Sequence, residues 1–202
     1  MSSNYFYEPL PFSAAEVEAI TGLDPAMQRD WRRKKLVQRR KWSGLGTLPQ
    51  ELAEMVIVQA LRDEFGLHLD AASEHAQAIA PYVLWFALTN YPAFDFDGPR
   101  EERTEFRRYI EEKDKEGLAY LGEMVGAPSD SLLPFSVFRE GKFVATGKLD
   151  EYFNIDASPD LVGGIVLRHD VLGRRLFEKI KRPIYIARPR RSGVITPKSR
   201  KR

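Results

Sequence analysis

Positive charge is concentrated in one short stretch of the chain. Eight lysine and arginine residues lie within thirteen positions, interrupted by a single acid, Asp30, and a single large aromatic, Trp31. The eight are Arg29, Arg32, Arg33, Lys34, Lys35, Arg39, Arg40 and Lys41. Guanidinium and ammonium groups neutralise phosphates, and one arginine can donate two hydrogen bonds to one guanine. We therefore expect this stretch to bind a polyanion.

The small net charge of +2 conceals a segregation of charge along the chain. Residues 1–66 carry nine basic and nine acidic side chains, and residues 67–187 carry fifteen basic and twenty acidic ones. Residues 188–202 carry seven basic and no acidic side chains. We expect this tail to be disordered. Its charge is compatible with a solvated or targeting segment, and also with a flexible, sequence-independent grip on DNA.

Several kinds of chemistry are not expected from this composition. The absence of cysteine excludes disulfides, zinc–thiolate sites, iron–sulfur clusters and cysteine nucleophiles. The histidines His68, His75 and His169 are scattered, and we interpret them as surface or hydrogen-bonded core residues. No Gly-x-Ser-x-Gly elbow is present. We therefore expect no catalytic residues, no cofactor and no metal site, and the chain is not predicted to be an enzyme.

The elements that would position the basic stretch begin with two closely spaced helices. Ser13 and Glu16 form a capping-box pattern, which predicts a helix from Ala14 to about Thr21. An N-cap residue, Asp24, followed by proline predicts a second helix from Pro25 to about Lys35. About three residues separate the two helices, which is the connection length of a helix-turn-helix.

The second helix is expected to have one face in the core and another on nucleic acid. Met27 and Trp31 are four residues apart and should share the inward face, with Trp31 packed on Met27 and Val17. Gln28 and Arg29 come early in the helix, where base edges are usually read. The remaining basic side chains are predicted phosphate anchors: Arg32, Arg33, Arg39, Arg40 and Lys41.

A basic β-hairpin is predicted directly after the second helix. Val37–Trp42 can be extended and Ser43–Gly46 can form the turn, so this segment is a candidate wing. Trp42 is interpreted either as a packing residue of the wing or as a contact to the DNA backbone or minor groove. A second capping-box pattern, Thr47–Gln50, predicts a third helix that ends near Phe65.

Helices are predicted for the middle of the chain. Asp70 can cap a helix from Ala71 to about Asn90, which Pro81 should kink or divide. Two prolines and a glycine make Tyr91–Arg100 a predicted loop or linker. A charged helix should follow from about Glu101 to Met124.

The last third of the chain contains short strands and one more helix. A glycine-containing hairpin (FSVF-REGK-FVATG), a strand (GGIVLRH), a helix capped by Asp170 (DVLGRRLFEKI) and a last strand (PIYIA) are predicted. The fold class is therefore mainly α with a small α+β C-terminal part. The predicted domains are a winged helix-turn-helix, a helical dimerisation or linker region, a small α+β domain and a basic tail, at residues 1–69, 70–126, 127–187 and 188–202.

The order of elements from Phe12 to Leu69 resembles the MerR-type winged helix-turn-helix. The family's first helix and turn are similar to FSAAEVEAITG and LDP at Phe12–Pro25. Its second helix carries an arginine, an aromatic and a basic residue, which here are Arg29, Trp31 and Arg33. The helix after the wing ends similarly to LRDEFGL in this chain. The resemblance implies that the second helix enters the major groove while the wing and flanking groups hold the backbone.

The resemblance and the charge pattern together predict a sequence-specific regulator of transcription. We expect double-stranded DNA as the partner, a homodimer that reads paired half-sites, and a location in the bacterial cytoplasm or nucleoid. The chain has no signal pattern or apolar run of membrane-spanning length, so no membrane association is expected. Two alternatives remain open. One is an architectural DNA-binding protein of a phage or mobile element, such as an excisionase or packaging subunit. The other is a protein-interaction module with a repurposed helix-turn-helix.

Overall fold

Helices make up most of the chain that the structure describes. The computed structural model describes residues 5–38, 46–111, 121–122, 124–126, 133–139, 141–149 and 165–190. The helices are α1 (Ala14–Thr21), α2 (Pro25–Arg33), α3 (Pro49–Phe65), α4 (Leu69–Leu88), α5 (Arg100–Glu111) and α6 (His169–Ile180). The prediction of a mainly helical chain with a smaller strand component is confirmed.

Two small sheets accompany the helices in these ranges. The strands are β1 (Tyr5–Pro9), β2 (Phe94–Phe96), β3 (Phe135–Arg139), β4 (Lys142–Thr146), β5 (Val166–Arg168) and β6 (Tyr185–Pro189). One sheet has the order β1-β6-β2, in which β6 runs antiparallel to β1 and parallel to β2. The other has the order β4-β3-β5 and is antiparallel. The predicted hairpin is β3–β4, and its turn contains Gly141 with φ 81°.

Three predicted helix caps are wrong. No side-chain cap bond is formed at the starts of α3, α4 and α6, whose N-cap residues are Leu48, His68 and Arg168 rather than Thr47, Asp70 and Asp170. The two aspartates are the second residues of their helices and lie in the first turn, where a carboxylate still interacts favourably with the helix dipole. Thr47 is unavailable as a cap because it forms a β-bridge with Phe12.

The predicted loop at Tyr91–Arg100 contains secondary structure. Tyr91–Ala93 form one 3-10 turn, and Phe94–Phe96 form β2. Phe94 and Phe96 are buried while Asp95 is exposed, which is the alternation of a strand with one face on the core. Pairing with a distant strand therefore overrides the loop tendency of the flanking prolines and glycine.

Helix α4 is continuous through Pro81, which therefore does not divide it. It packs between α3 and α6. At the α6 contact, a Cβ atom on Gly173 would lie 2.6 Å from the carbonyl oxygen of Val83 and 2.6 Å from the Cβ of Phe86. The two helix backbones can approach this closely only because residue 173 has no side chain.

The predicted charged helix is confirmed in its first half. Helix α5 is described from Arg100 to Glu111, and its inward residues Phe106 and Ile110 are fully buried. Residues 112–120 lie outside the described residues. Leu121, Gly122, Met124 and Val125 are also helical.

One hydrophobic core extends from the first described strand to the last. It includes Tyr5 and Tyr7 of β1, residues of α1 to α6, and Tyr185 and Ala187 of β6. The predicted domain boundaries at 69 and 126 run through this core. Strand β6 continues to Pro189, so the first two residues of the predicted tail belong to a sheet, while residues 191–202 lie outside the described part.

Candidate nucleic-acid interface

Side-chain caps fix both sides of the turn between α1 and α2. At the start of α1, Ser13 accepts from the backbone N–H of Glu16, and the Glu16 carboxylate accepts from the backbone N–H of Ser13 at 2.8 Å. Gly22 ends this helix in a left-handed conformation with φ 75°. Asp24 then accepts from the N–H groups of Ala26 and Met27, at 2.7 and 2.8 Å. Both predicted caps of this motif are confirmed.

The inward face of α2 is formed by Gln28 and Trp31, which are 1% and 3% exposed. The Gln28 amide donates to the carbonyl oxygens of Ala14 and Leu23, at 2.9 and 2.8 Å. Gln28 therefore ties α2 to α1 and to the turn, and its predicted role in reading a base is corrected. The reason is geometric, because a residue three positions before Trp31 lies on the same side of the helix.

Met27 was expected to share the buried face with Trp31, but it is 40% exposed. The burial of Gln28 rotates α2 so that Met27 lies at the edge of the buried face. Trp31 is a core residue, as predicted. Met27 is thus an apolar side chain beside the outward, cationic surface of α2.

The outward surface of α2 carries Arg29, Asp30 and Arg33. Arg29 is exposed and forms no ion pair or hydrogen bond with the residues that the structure describes. Asp30 forms ion pairs with Lys34 at 2.8 Å and with Arg33 at 2.5 Å. The hydrogen bonds from Lys34 and Arg33 hold the pKa of Asp30 below its ordinary value. The carboxylate therefore partly neutralises those two cations and leaves the charge of Arg29 uncompensated.

Arg32 is half-buried and donates a hydrogen bond to the hydroxyl of Thr47. This contact joins α2 to the residue that follows the predicted wing. Arg32 was predicted to anchor a phosphate, and in the structure one of its terminal nitrogens is already engaged. Its contact with Thr47 was missed, because Thr47 had been interpreted as a helix cap.

The predicted wing residues Arg39, Arg40, Lys41 and Trp42 lie outside the described residues. The chain on both sides of them is described. The backbone N–H of Gln38 donates to the carboxylate of Glu54 on α3 at 2.8 Å, and Glu54 is fully buried. On the other side, Thr47 and Phe12 exchange two backbone hydrogen bonds of 2.8 Å. The described residues on the two sides are therefore held in place, Gln38 by α3 and Thr47 by Phe12 and by Arg32 of α2.

His169 is a buried, hydrogen-bonded histidine. Its Nδ1 is 2.6 Å from the carbonyl oxygen of Leu133, its Nε2 is 2.8 Å from the hydroxyl oxygen of Ser136, and its ring stacks on Tyr82. Burial lowers the pKa of His169 to about 4, so the ring is neutral at pH 7. Ser136 is only 2% exposed, so this serine–histidine pair is closed to a substrate. The interpretation of His169 as a hydrogen-bonded core residue is confirmed.

The described ranges contain neither a metal-binding cluster nor a helix that could span a membrane. In the described ranges, no group of three or more His, Asp or Glu side chains is arranged to hold a metal ion. Every helix found there is too short or too polar to span a lipid bilayer.

Comparison of the chain with protein-family models, with curated proteins and with solved structures gave no match.

Proposed function

We propose that this chain binds double-stranded DNA as a homodimeric, sequence-specific transcriptional regulator of the MerR-like winged helix-turn-helix type. Helix α2 would lie in the major groove, and the basic segment after it would lie on the backbone. The function is binding rather than catalysis, and a regulator of this kind acts in the bacterial cytoplasm or nucleoid.

The main support is the division of α2 into two faces. Its inward face is held by Trp31 and by the two hydrogen bonds of Gln28, so the helix is rigidly mounted on α1. Its outward face presents Arg29 without a protein partner among the described residues. An α-helix with its side chains is about 10–12 Å across, which suits a major groove about 12 Å wide.

The distribution of charge around α2 gives further support. Arg33 and Lys34 extend the cationic surface past the end of the helix, while Asp30 holds both in place. In the sequence, Arg39, Arg40 and Lys41 follow Gln38 directly, and Gln38 is held by Glu54 of α3. Several cations close to one helix can neutralise several phosphates, and this supplies affinity without sequence preference. Arg29 would supply the preference.

The test is a selection of random double-stranded DNA on the purified protein, repeated at low and near-physiological salt, followed by affinity measurements with Arg29→Ala. We expect an enriched motif with two spaced half-sites. We expect Arg29→Ala to weaken binding to that motif by about 1–3 kcal/mol, because a bidentate base contact is lost. The thermal midpoint should not change, since Arg29 is exposed.

Arg174→Ala is the matched control. Arg174 is also exposed and also forms no interaction with the described residues, but it lies on α6. The Arg174→Ala substitution removes the same charge as Arg29→Ala and should leave the affinity for the motif unchanged. Equal affinity of wild type and Arg29→Ala would contradict the proposed role of α2. Binding without a motif that disappears with salt would instead favour an architectural protein, and no binding at either salt would favour the protein-interaction alternative.

A further inference from the structure

The segment that joins α6 to β6 is fastened onto the start of α1. Arg182 donates from Nε to the Glu16 carboxylate at 2.7 Å and from Nη2 to the carbonyl oxygen of Pro11 at 2.9 Å. Its guanidinium carbon lies 4.2 Å from the centre of the Phe12 ring, which is a cation–π contact. The Arg182 side chain therefore contacts Pro11, Phe12 and Glu16, which lie just before and within the first turn of α1.

The contact with Glu16 is also a contact with the helix cap. The other carboxylate oxygen of Glu16 accepts from the backbone N–H and the hydroxyl of Ser13, each at 2.8 Å. These hydrogen bonds, together with the one from Arg182, lower the pKa of Glu16. Arg182 thus holds the charged member of the capping box that starts α1.

The same C-terminal segment also reaches the other end of α1. The ammonium group of Lys179 donates to the carbonyl oxygen of Ile20 at 3.1 Å. Ile20 lies in the last turn of α1, where carbonyl groups lack helical partners and favour a cation. Both ends of α1 are therefore held from α6 and from the residues that follow it.

The backbone between these two contacts adopts an unusual conformation. Lys181, which lies between Lys179 and Arg182 in the chain, ends α6 with φ 54°. This left-handed region is unfavourable for residues other than glycine. The reversal brings Arg182 back toward α1, so the cost of the conformation is offset by the contacts that Arg182 makes there.

A continuous set of contacts leads from Arg182 to α2. Arg182 stacks on Phe12, Phe12 exchanges two backbone hydrogen bonds with Thr47, and the Thr47 hydroxyl accepts from Arg32 of α2. Gly46 permits this arrangement, because a Cβ atom there would lie 2.6 Å from the Cβ of Pro11. The position of Arg182 is thereby linked to Thr47 and, through it, to Arg32 of α2.

We propose that Arg182 is a positioning residue of the DNA-binding unit, which orients α1 and α2 through Glu16, Phe12 and Thr47. This inference rests on the proposed function. It assigns to the C-terminal segment an effect on sequence recognition that is transmitted through α1 and α2. Arg182 itself does not contact DNA. The C-terminal part of the chain is then a component of the DNA-binding unit and not a separate module.

The test compares Arg182→Ala, Arg182→Lys and Arg174→Ala for affinity to the selected motif and to random duplex DNA. We expect Arg182→Ala to reduce affinity for the motif about tenfold, with little change on random DNA, because base reading needs a fixed helix and phosphate binding does not. Arg182→Lys should not restore affinity, since lysine cannot make the forked hydrogen bonds and the ring contact together. Arg174→Ala should behave as wild type.

The salt dependence separates positioning from direct contact. If Arg182 neutralised a phosphate, its loss would reduce the slope of log affinity against log salt by about one unit, and lysine would substitute for it. The proposal predicts an unchanged slope. A lower slope with rescue by lysine would overturn it, and so would an equal loss of affinity for the motif and for random DNA that follows a fall in thermal midpoint.

A double-mutant cycle with Glu16→Gln identifies the pathway. Glutamine can still complete a capping box but cannot pair with a guanidinium charge. The effects of Glu16→Gln and Arg182→Ala on motif affinity should be strongly non-additive, because they remove the same contact. Additive effects would contradict the proposed route through Glu16.

Hydrogen exchange without DNA distinguishes failure of this inference from failure of the proposed function. In Arg182→Ala, the amides of Val17 and Gly22 should exchange faster, while those of β3 and β4 keep their wild-type rates. If wild type binds no DNA but this change is seen, the DNA-binding function fails and the fastening of α1 stands. Unchanged exchange of the α1 amides would overturn the positioning role whatever the outcome with DNA.

Discussion

At the scale of single residues, two neighbouring positions in α2 differ in burial: Gln28 is buried and Arg29 is exposed. Gln28 and Arg29 were both interpreted as base-reading residues, because both types suit base edges and both lie early in the helix. The structure buries Gln28 against the backbone of α1 and leaves Arg29 exposed. Residue type does not separate the two cases. The rotation of α2 on its neighbours does, and that rotation depends on packing.

His169 gives a prediction at this scale. Its pKa of about 4 in the folded protein lies below the ordinary value of 6.5, so the unfolded chain binds a proton over a range in which the folded chain does not. The stability that depends on neutral His169 is therefore fully present above about pH 6.5, and it is lost as the pH decreases toward about 4. Between about pH 7 and pH 5 we expect a loss of about 2 kcal/mol.

Chemical denaturation across this pH range would measure the effect. His169→Gln should remove most of this pH dependence, because glutamine can bond Leu133 and Ser136 without titrating. His68→Gln is the control, since the His68 side chain is 84% exposed and its substitution should leave the pH dependence intact. An unchanged slope in His169→Gln would show that another group causes the loss.

At the scale of elements, local signals predicted α1, α2 and the turn between them well. The Ser13 and Asp24 caps and Gly22 lie within four residues of the groups that they bond, so a short stretch of sequence contains the whole interaction. The caps predicted at Thr47, Asp70 and Asp170 failed, although their patterns were similar. A tertiary partner, Phe12, binds Thr47 instead. Capping patterns therefore predict a helix more securely than they predict its first residue.

The contact between α4 and α6 gives a prediction at the element scale. Gly173→Ala should lower the free energy of unfolding by about 1–3 kcal/mol, because the new methyl group meets the backbone of α4 at Val83 and Ala87. Alanine favours a helix over glycine by about 1 kcal/mol, and the clash should outweigh this gain. Urea denaturation would measure the change.

Glu178→Ala is the control for this contact, since Glu178 is exposed on the same helix. Its effect should stay within about 0.5 kcal/mol. A Gly173→Ala variant as stable as wild type would show that α4 and α6 can separate at little cost.

At the scale of the whole molecule, the two ends of the described chain form one sheet. Strand β1 pairs with β6 over five residues, from Tyr5 opposite Pro189 to Pro9 opposite Tyr185. The side chains of Tyr5 and Tyr7 in β1 pack on Phe106 of α5 and on β2. The N-terminal part of the chain is thus built into the same core as the C-terminal strand.

Tyr5 tests this integration. Tyr5→Ala should cost about 3–5 kcal/mol, because the ring is buried at 4.9 Å from the centre of Phe106. Unfolding should remain a single transition, with faster hydrogen exchange in α5 and β6 as well as in β1. Phe6→Ala is the matched control, since Phe6 is adjacent, 51% exposed and on the opposite side of the strand. Loss of protection confined to residues near Tyr5 would contradict a shared core.

The sequence by itself determined what depends on near neighbours. Helical periodicity, caps and turn glycines predicted most of the described helices and the β3–β4 hairpin. These features follow from contacts within a few residues, so a pattern of residue types is enough to predict them.

Only the tertiary structure decided which surfaces face solvent and which distant segments meet. It placed β6 beside β1, converted part of a predicted loop into β2, buried Gln28 and fastened Arg182 to Glu16, which is 166 residues earlier. Contacts at such separations leave no periodic signal in one sequence. They are selected by the burial and hydrogen bonding of the assembled core, which no local window of residues contains.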